Sequence, residues 1–403
     1  MTQLSQPFAA QPLPLGMVGG GQGAFIGAVH RIAARMDGHF QLVSGALSSD
    51  AQRAAASAAQ LGIAPERCYT SYAQMAKAEA ARPDGIRAVA ITTPNHMHFP
   101  VAKAFLQAGI HVICDKPLTA QLAEAEELAA IGARSNALFI LTHNYTGYPM
   151  IRAARQLVAE GQLGDIRLVK ADYLQDWLAT PLEQEGQKQA SWRTDPAQTG
   201  AGGAIGDIGS HAYNLISFVS GLQLQAVAAD LSSFVEGRRV DDNANLLLRF
   251  KPVGSAAPAR GQLCASQIAT GKENQLTLKV YGSKAGLEWD HECPDQLRFT
   301  PLGESTRILT RAGVGANAAA NRAVRVPGGH PEGYLEAFAN IYAEAALAIR
   351  QQAGEVLEAS AHQHYPSLHD GLEGMRFIAA AVRSSNQDAR WVTLAELQAM
   401  QPA

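Results

Sequence analysis

A chain of 403 residues, 47% hydrophobic and 17% charged, is long enough for two domains of ordinary size, each with a sizeable core. The formal net charge of −3 gives no electrostatic basis for binding nucleic acid or an anionic membrane. Cys68, Cys114, Cys264 and Cys293 are far apart with no CxxC pair, which argues against a disulfide framework or a structural zinc site and fits a reducing cytoplasm.

Residues 1–12 carry neither a basic n-region nor a long apolar run, so a flexible lead-in is expected there, not a signal peptide or membrane span. A first strand is predicted over 13–18, then a glycine-rich turn, Gly19-Gly20-Gly21-Gln22-Gly23-Ala24-Phe25-Ile26-Gly27, and a helix from about 26 to 36. Strand, glycine turn and helix form the dinucleotide-binding context: the turn lets backbone approach a pyrophosphate, and the helix start offers N–H groups to it. Gly27 follows Gly21 by six residues, so this loop is longer than the common GxGxxG form. Gly19, Gly21, Gly23, Phe25 and Ile26 are the candidate cofactor contacts of the loop.

The second strand is predicted over 41–47 and its helix over 50–61. Where an acid normally meets the adenosine ribose of NAD, this chain has Ser48 and Ser49, with Asp50 and Arg53 just beyond. Serine plus Arg53 can accept a 2′-phosphate and Asp50 can reach a ribose, so NAD and NADP both stay open, NAD slightly favoured. Asp50 is also placed to cap the helix. Another buried strand (86–91) ends in a turn that holds Thr93-Pro94-Asn95 and His98, and a helix is predicted over 99–108. The strand 111–114 leads into Asp115-Lys116-Pro117, and a lysine at the carboxyl end of a parallel strand stands where open α/β sheets bind ligands. A helix (122–135) and a strand (138–142) complete an alternating pattern that predicts a doubly wound parallel sheet over 13–143.

From 144 to 403 the pattern changes. A helix (149–160) and strand (166–174) precede an irregular stretch with Trp177, Lys188, Gln189, Trp192 and Arg193. Gly206-Asp207-Ile208-Gly209-Ser210-His211 opens a helix reaching about 219. Strand-like runs at 225–235, 243–250, 261–268, 275–281 and 286–289 have no long helices between them, which predicts an open, predominantly antiparallel sheet in an α+β domain. A small-residue loop (313–329) and helices at 334–352 and 367–384 close the chain. Asp207 and His211, four apart, share a helical face, so with the strand-end lysine they make a candidate proton-transfer set.

These motifs, in this order, resemble the Gfo/Idh/MocA oxidoreductases, the group of glucose-fructose oxidoreductase and inositol dehydrogenases. The likeness rests on the glycine loop with His30, on Thr93-Pro94-Asn95 with His98, on Asp115-Lys116-Pro117 where the family usually has Glu-Lys-Pro, and on Gly206 to His211. It implies Lys116, Asp207 and His211 as catalytic lysine, aspartate and histidine, and places Asn144, Trp192 and Arg193 near cofactor or substrate. Asp115, Thr93, Pro94, Asn95 and His98 join the cofactor set. It implies an NAD(P)-dependent dehydrogenase acting on a secondary hydroxyl of a sugar, cyclitol or sugar derivative. The residues point the same way: such an oxidation needs a base, a hydride acceptor and a donor to the developing alkoxide. His211 oriented by Asp207 fits the base and Lys116 the donor, although a lysine of lowered pKa can itself be the base. Tyr145, Tyr148, Trp177, Lys188 and His330 are further candidate substrate contacts. The alternative class is a glycosidase working by transient oxidation, elimination and re-reduction. No metal is expected, and the 144–403 domain is expected to bind substrate and to build a homodimer or homotetramer.

Overall fold

The computed structural model describes residues 11–254, 256–355 and 364–398, so the expected lead-in falls almost wholly outside the described residues. The chain forms two compact units: residues up to 147 together with 333–372, and 148–332 together with the stretch from 373 onward.

The first unit begins β1 (Leu13–Gly19), α1 (Phe25–Met36), β2 (Phe40–Ala46), α2 (Ala51–Gln60), α3 (Tyr72–Ala81), β3 (Ala88–Thr92), α4 (His98–Gln107), β4 (His111–Cys114), α5 (Leu122–Gly132) and β5 (Phe139–Leu141). The strands pair in parallel in the order β2-β1-β3-β4-β5. β3 and β4 are buried along their whole length, which is why they read as continuous apolar runs. Strand order reverses beside β1, the kind of switch point at which such sheets hold ligands.

The second unit carries α6 (Pro149–Ala159), β6 (Ile166–Leu174), α7 (Lys188–Arg193), α8 (Pro196–Thr199), a π-helical turn (Ile205–Gly209), α9 (Ser210–Ser220), β7 (Leu224–Ser232), β8 (Asn243–Phe250), β9 (Arg260–Ser266), β10 (Gln275–Gly282), β11 (Ala285–Asp290), β12 (Gln296–Pro301), β13 (Arg307–Thr310) and α10 (Ala318–Asn321). After α11 (Tyr334–Gln352) and α12 (Leu368–Ser385), β14 (Val392–Thr393) and α13 (Leu394–Gln398) follow. The nine-stranded sheet runs β13-β12-β11-β10-β6-β9-β8-β7-β14, antiparallel except for the pair β6 and β9. β8 alternates buried and exposed residues, so one face takes the apolar side chains and the other faces water. Tyr213 of α9 stacks on Phe377 of α12 over 4.4 Å, and Arg155 of α6 lies on the Phe218 ring of α9.

The irregular stretch predicted around Lys188 is partly helical, and β12 and β13 had no predicted counterpart. β13 is a four-residue strand with no residue fully buried, so it lacks the apolar alternation that marks a strand. Helix α11 belongs by packing to the first unit, although it lies far beyond 143 in sequence. Its Phe338, Ile341, Tyr342, Ala345 and Ile349 share a core with Leu15, Met17, Val29, Ala33 and Ile113. The returning segment also bonds the sheet edge, where the Leu141 amide donates to Pro366 (2.8 Å).

Among the described residues, no helix is long and apolar enough to cross a membrane.

Candidate active site

β1 ends in Gly19 and Gly20, both in the left-handed region open to glycine. Gly27, inside α1, packs on Gly20 so closely that a Cβ on Gly27 would come within 2.4 Å of the Gly20 Cα. Gly27 therefore supplies the close helix–strand approach, despite its late position, and the extra residues bulge between the two. The bulge folds onto α2 through a Gln22 N–H bond to the Ser57 hydroxyl (3.2 Å). α1 starts at Phe25 without a side-chain cap, which leaves its first amides to a ligand. An open pocket of about 550 Å³ lies over the loop, lined by residues 20–25, Arg31, Ser57 and Gln60. Phe25 is exposed at the helix start; Ile26, by contrast, packs against the apolar core, because its place on α1 turns it inward.

Beyond β2, the Ser48 hydroxyl accepts from the Asp50 amide (3.1 Å), and Asp50 caps α2 by accepting from the Arg53 amide (2.8 Å). Asp50 also pairs loosely with the exposed Arg53 guanidinium at 3.6 Å. The acid at this tip is thus engaged in its own helix.

The segments after β3 and β5 carry buried polar atoms for which the described structure shows no partner: Thr93 Oγ1, His96 Nδ1 and Asn144 Nδ2. Such orphans are rare in folded proteins and fit a site whose ligand completes the bonding. With the uncapped α1 and the glycine turn, they fit a nicotinamide dinucleotide. Pro94 and the buried Asn95 shape the turn after β3.

Lys116 is fixed from both sides. The Asp115 carboxylate accepts from the Lys116 backbone N–H (3.0 Å) and from the Thr142 hydroxyl (3.2 Å). His30 stands 3.9 Å from the same carboxylate and bonds Tyr342 of α11 through its other nitrogen (2.8 Å). Burial would raise the Asp115 carboxyl, but His30, Lys116 and His98 outweigh it and hold it below the usual range. His98 was expected among the cofactor contacts; instead it is 1% exposed, with Nδ1 2.7 Å from the Pro117 carbonyl and Nε2 2.9 Å from that of Thr93. It clasps the two loops, and burial lowers its pKa. Asp115 likewise shapes the lysine loop from beneath. Behind it, burial and the Lys116 charge press His143 down to about 3, so that imidazole is neutral.

In the second unit, Asp207 sits on the π-helical turn and His211 in the first turn of α9. π-turns recur at functional sites because they redirect side chains within a helix. Asp207 Oδ2 accepts from Gln267 Nε2 (2.9 Å) and Arg193 Nε (3.3 Å). The Arg193 guanidinium lies 4.2 Å from the Trp192 ring centre and 5.9 Å from that of Trp177. Trp177 donates to Gln175, which with Tyr173 bonds Asn274 (2.7 and 2.8 Å). The Tyr173 ring tilts against His211 at 6.2 Å. Asp207, Arg193, Trp192 and Trp177 therefore gather through hydrogen bonds and ring contacts, and His211 meets the same group through the Tyr173 ring.

Other candidates stand elsewhere. Tyr148 is buried, bonded to His291 (3.0 Å) and packed on Trp289, so it serves the sheet core and not a ligand. Tyr145 is buried as well. Lys188 is exposed at the start of α7. His330 is exposed too, and its carbonyl accepts from Arg311. Arg311 and Glu332, both buried, organise this loop, a role that residue pattern did not reveal. Gln267, Thr142 and Tyr342 were missed also; His30, a histidine amid the apolar positions of α1, was the one visible sign of such a network.

Comparison with known proteins agrees with this geometry. Residues 13–143 match the Gfo/Idh/MocA oxidoreductase family, NAD-binding Rossmann fold, and 151–288 match the Gfo/Idh/MocA C-terminal domain. A crystal structure of an oxidoreductase from Sinorhizobium meliloti is 52% identical, with TM-score 0.86, covering 95% of this chain and 100% of that one. An inositol dehydrogenase homologue from Azotobacter vinelandii, complexed with NADH and myo-inositol, is 35% identical, with TM-score 0.86 and coverage of 95% and 98%. Levoglucosan dehydrogenase of Pseudarthrobacter phenanthrenivorans is 26% identical over 347 residues, 78% of this chain and 81% of that protein. The chain is an oxidoreductase of the Gfo/Idh/MocA family, with an NAD-binding Rossmann domain at its N-terminal end.

Proposed function

We propose that this oxidoreductase is a dehydrogenase that moves a hydride between a secondary hydroxyl of a sugar or cyclitol and a nicotinamide cofactor. The observation that carries the reading is the anchoring of Lys116, held through Asp115 and His98 at the carboxyl end of β4 beside orphaned polar atoms. The inositol and levoglucosan enzymes among its relatives support a polyhydroxylated substrate. The glycine turn, the α1 amides, Thr93 and Asn144 would hold the cofactor, which when bound supplies the hydride acceptor. His211 removes the hydroxyl proton, with Asp207 steadying that end of the helix. The Lys116 ammonium holds the developing alkoxide, and a carbonyl is left when hydride and proton have gone. Trp177, Trp192 and Arg193 offer apolar and cationic surface of the kind that sugar rings use. With Asp50 engaged in its cap and no acid at Ser48 or Ser49, both NAD and NADP are candidates, and NAD is the favoured one.

The test is a spectrophotometric screen of NAD and NADP against sugars, inositols and glycosides. Reduced cofactor appearing with a polyol supports the reading. Release of a glycoside's leaving group without net reduced cofactor would instead show a redox-assisted glycosidase. The water-facing side of the nine-stranded sheet carries the exposed Leu168 and Leu247, so we assign the protein as a homodimer or homotetramer covering that face. A monomer by light scattering at micromolar concentration would refute that. The free cysteines fit a cytoplasmic location.

A further inference from the structure

The helical segment that bears Asp207 and His211 begins at Ala204, and its first amides have no acceptor within the helix. A residue 36 positions or more away in sequence supplies all three. Asp241, in the loop before β8, accepts from the Gly203 amide at Oδ1 (2.6 Å), from the Ile205 amide at Oδ2 (2.8 Å) and from the Ala204 amide at its own carbonyl (2.8 Å). The approach is so close that a Cβ on Gly203 would come within 2.1 Å of the Asp241 carbonyl oxygen. The neighbouring Asp242 is committed elsewhere, to the Phe234 and Val235 amides and to Arg238. Gln267 then joins the same loop to the site, its backbone N–H on the Asp242 carbonyl (2.9 Å) and its side chain on Asp207.

We propose that Asp241 is a positioning residue for the reaction: its carboxylate, clamped on amides 203 and 205, holds the π-helical turn in the form that presents Asp207 and His211. The idea rests on the assignment of those two residues to the chemistry. A carboxylate at a helix start is also favoured by the helix dipole. Burial pushes this carboxyl up to about 6, against the pull of the two amides, and Asp242 adds to the rise. Its partners are thus what keep it charged at neutral pH.

Asp241→Asn keeps the shape but turns an N–H₂ toward one of the two amides. Hydrogen exchange of the 203–208 amides should quicken by about tenfold or more, kcat should fall by a similar factor, and substrate KM and NAD affinity should stay within about twofold. Asp241→Glu keeps the charge, and is expected to recover part of the lost kcat and to serve as the test if the Asn variant does not fold. Wild-type exchange in both variants, or wild-type kcat per folded molecule in both, would overturn the proposal. Asp207→Asn and His211→Ala run alongside: if those two leave kcat intact, the catalytic assignment fails, while the exchange data still judge the clamp.

Discussion

The candidate site residues of the two units treat their polar atoms differently. At the strand ends of the first, Thr93, His96 and Asn144 keep buried atoms without partners among the described residues, and α1 starts uncapped. In the second, Gln267 and Arg193 bond Asp207, Trp177 and Asn274 bond Gln175, and the Arg193 guanidinium faces the Trp177 ring between the two sets. A surface with unmet bonds is built to be completed by a bound molecule, whereas a saturated network is built to hold its members still. The contrast teaches that cofactor affinity should reside in the first unit, and that turnover should depend on how rigidly the second holds its acid and imidazole.

The sharpest way to break that division is to alter the groups proposed to react. Lys116→Ala and His211→Ala should each lower kcat by ~10²-fold or more while NAD still binds, as followed by fluorescence titration. Near-normal turnover in both would remove them from the reaction. Next comes a linkage test at Asp241, whose folded pKa of about 6 lies above its ordinary 3.8. Burial costs the Asp241 carboxylate more than its two amide bonds return, so its contribution to stability is fully present only below about pH 4, where the carboxyl is protonated. That contribution, about 3 kcal/mol, is lost as pH rises to about 6. Denaturant unfolding of wild type minus Asp241→Asn, compared at pH 4 and 7, should show that difference; a flat difference would contradict it.

Two smaller effects probe the first unit. Gly27→Ala would force a Cβ against Gly20, costing about 1–3 kcal/mol of stability and weakening NAD binding with it, as melting temperature and titration would show. An unchanged melting temperature would mean the loop has room to yield. Asn144→Ala removes a buried donor that has no partner among the described residues, so on the proposed reading it should weaken NAD binding by about tenfold with little change in melting temperature. Equal loss of stability would show instead that Asn144 serves the fold.

Much of this could be read from the chain. β3 and β4 are continuous apolar runs, Gly19 to Gly27 follows a strand, and Asp207 and His211 share a helical spacing, so each carries a local signature. What stayed hidden depends on distant partners. Nothing in the sequence near Asp241 says that it caps a helix beginning at residue 204, because the contact is made by backbone amides, which every residue has. His98 looks like a ligand in sequence, and only its burial between two carbonyls shows it to be a clasp. Tyr148 misled for a related reason: an aromatic hydroxyl looks the same whether it meets a sugar or His291.

The packing of α11 on β1 and α1 has a consequence for how the molecule is made. As the chain leaves the ribosome, the first 147 residues emerge with one flank of their sheet still bare, and Phe338 to Ile349 arrive only after nearly two hundred further residues have been added. The lobe begun first is therefore finished last, and a fragment cut at residue 147 would present that unfinished flank to chaperones or to its own kind.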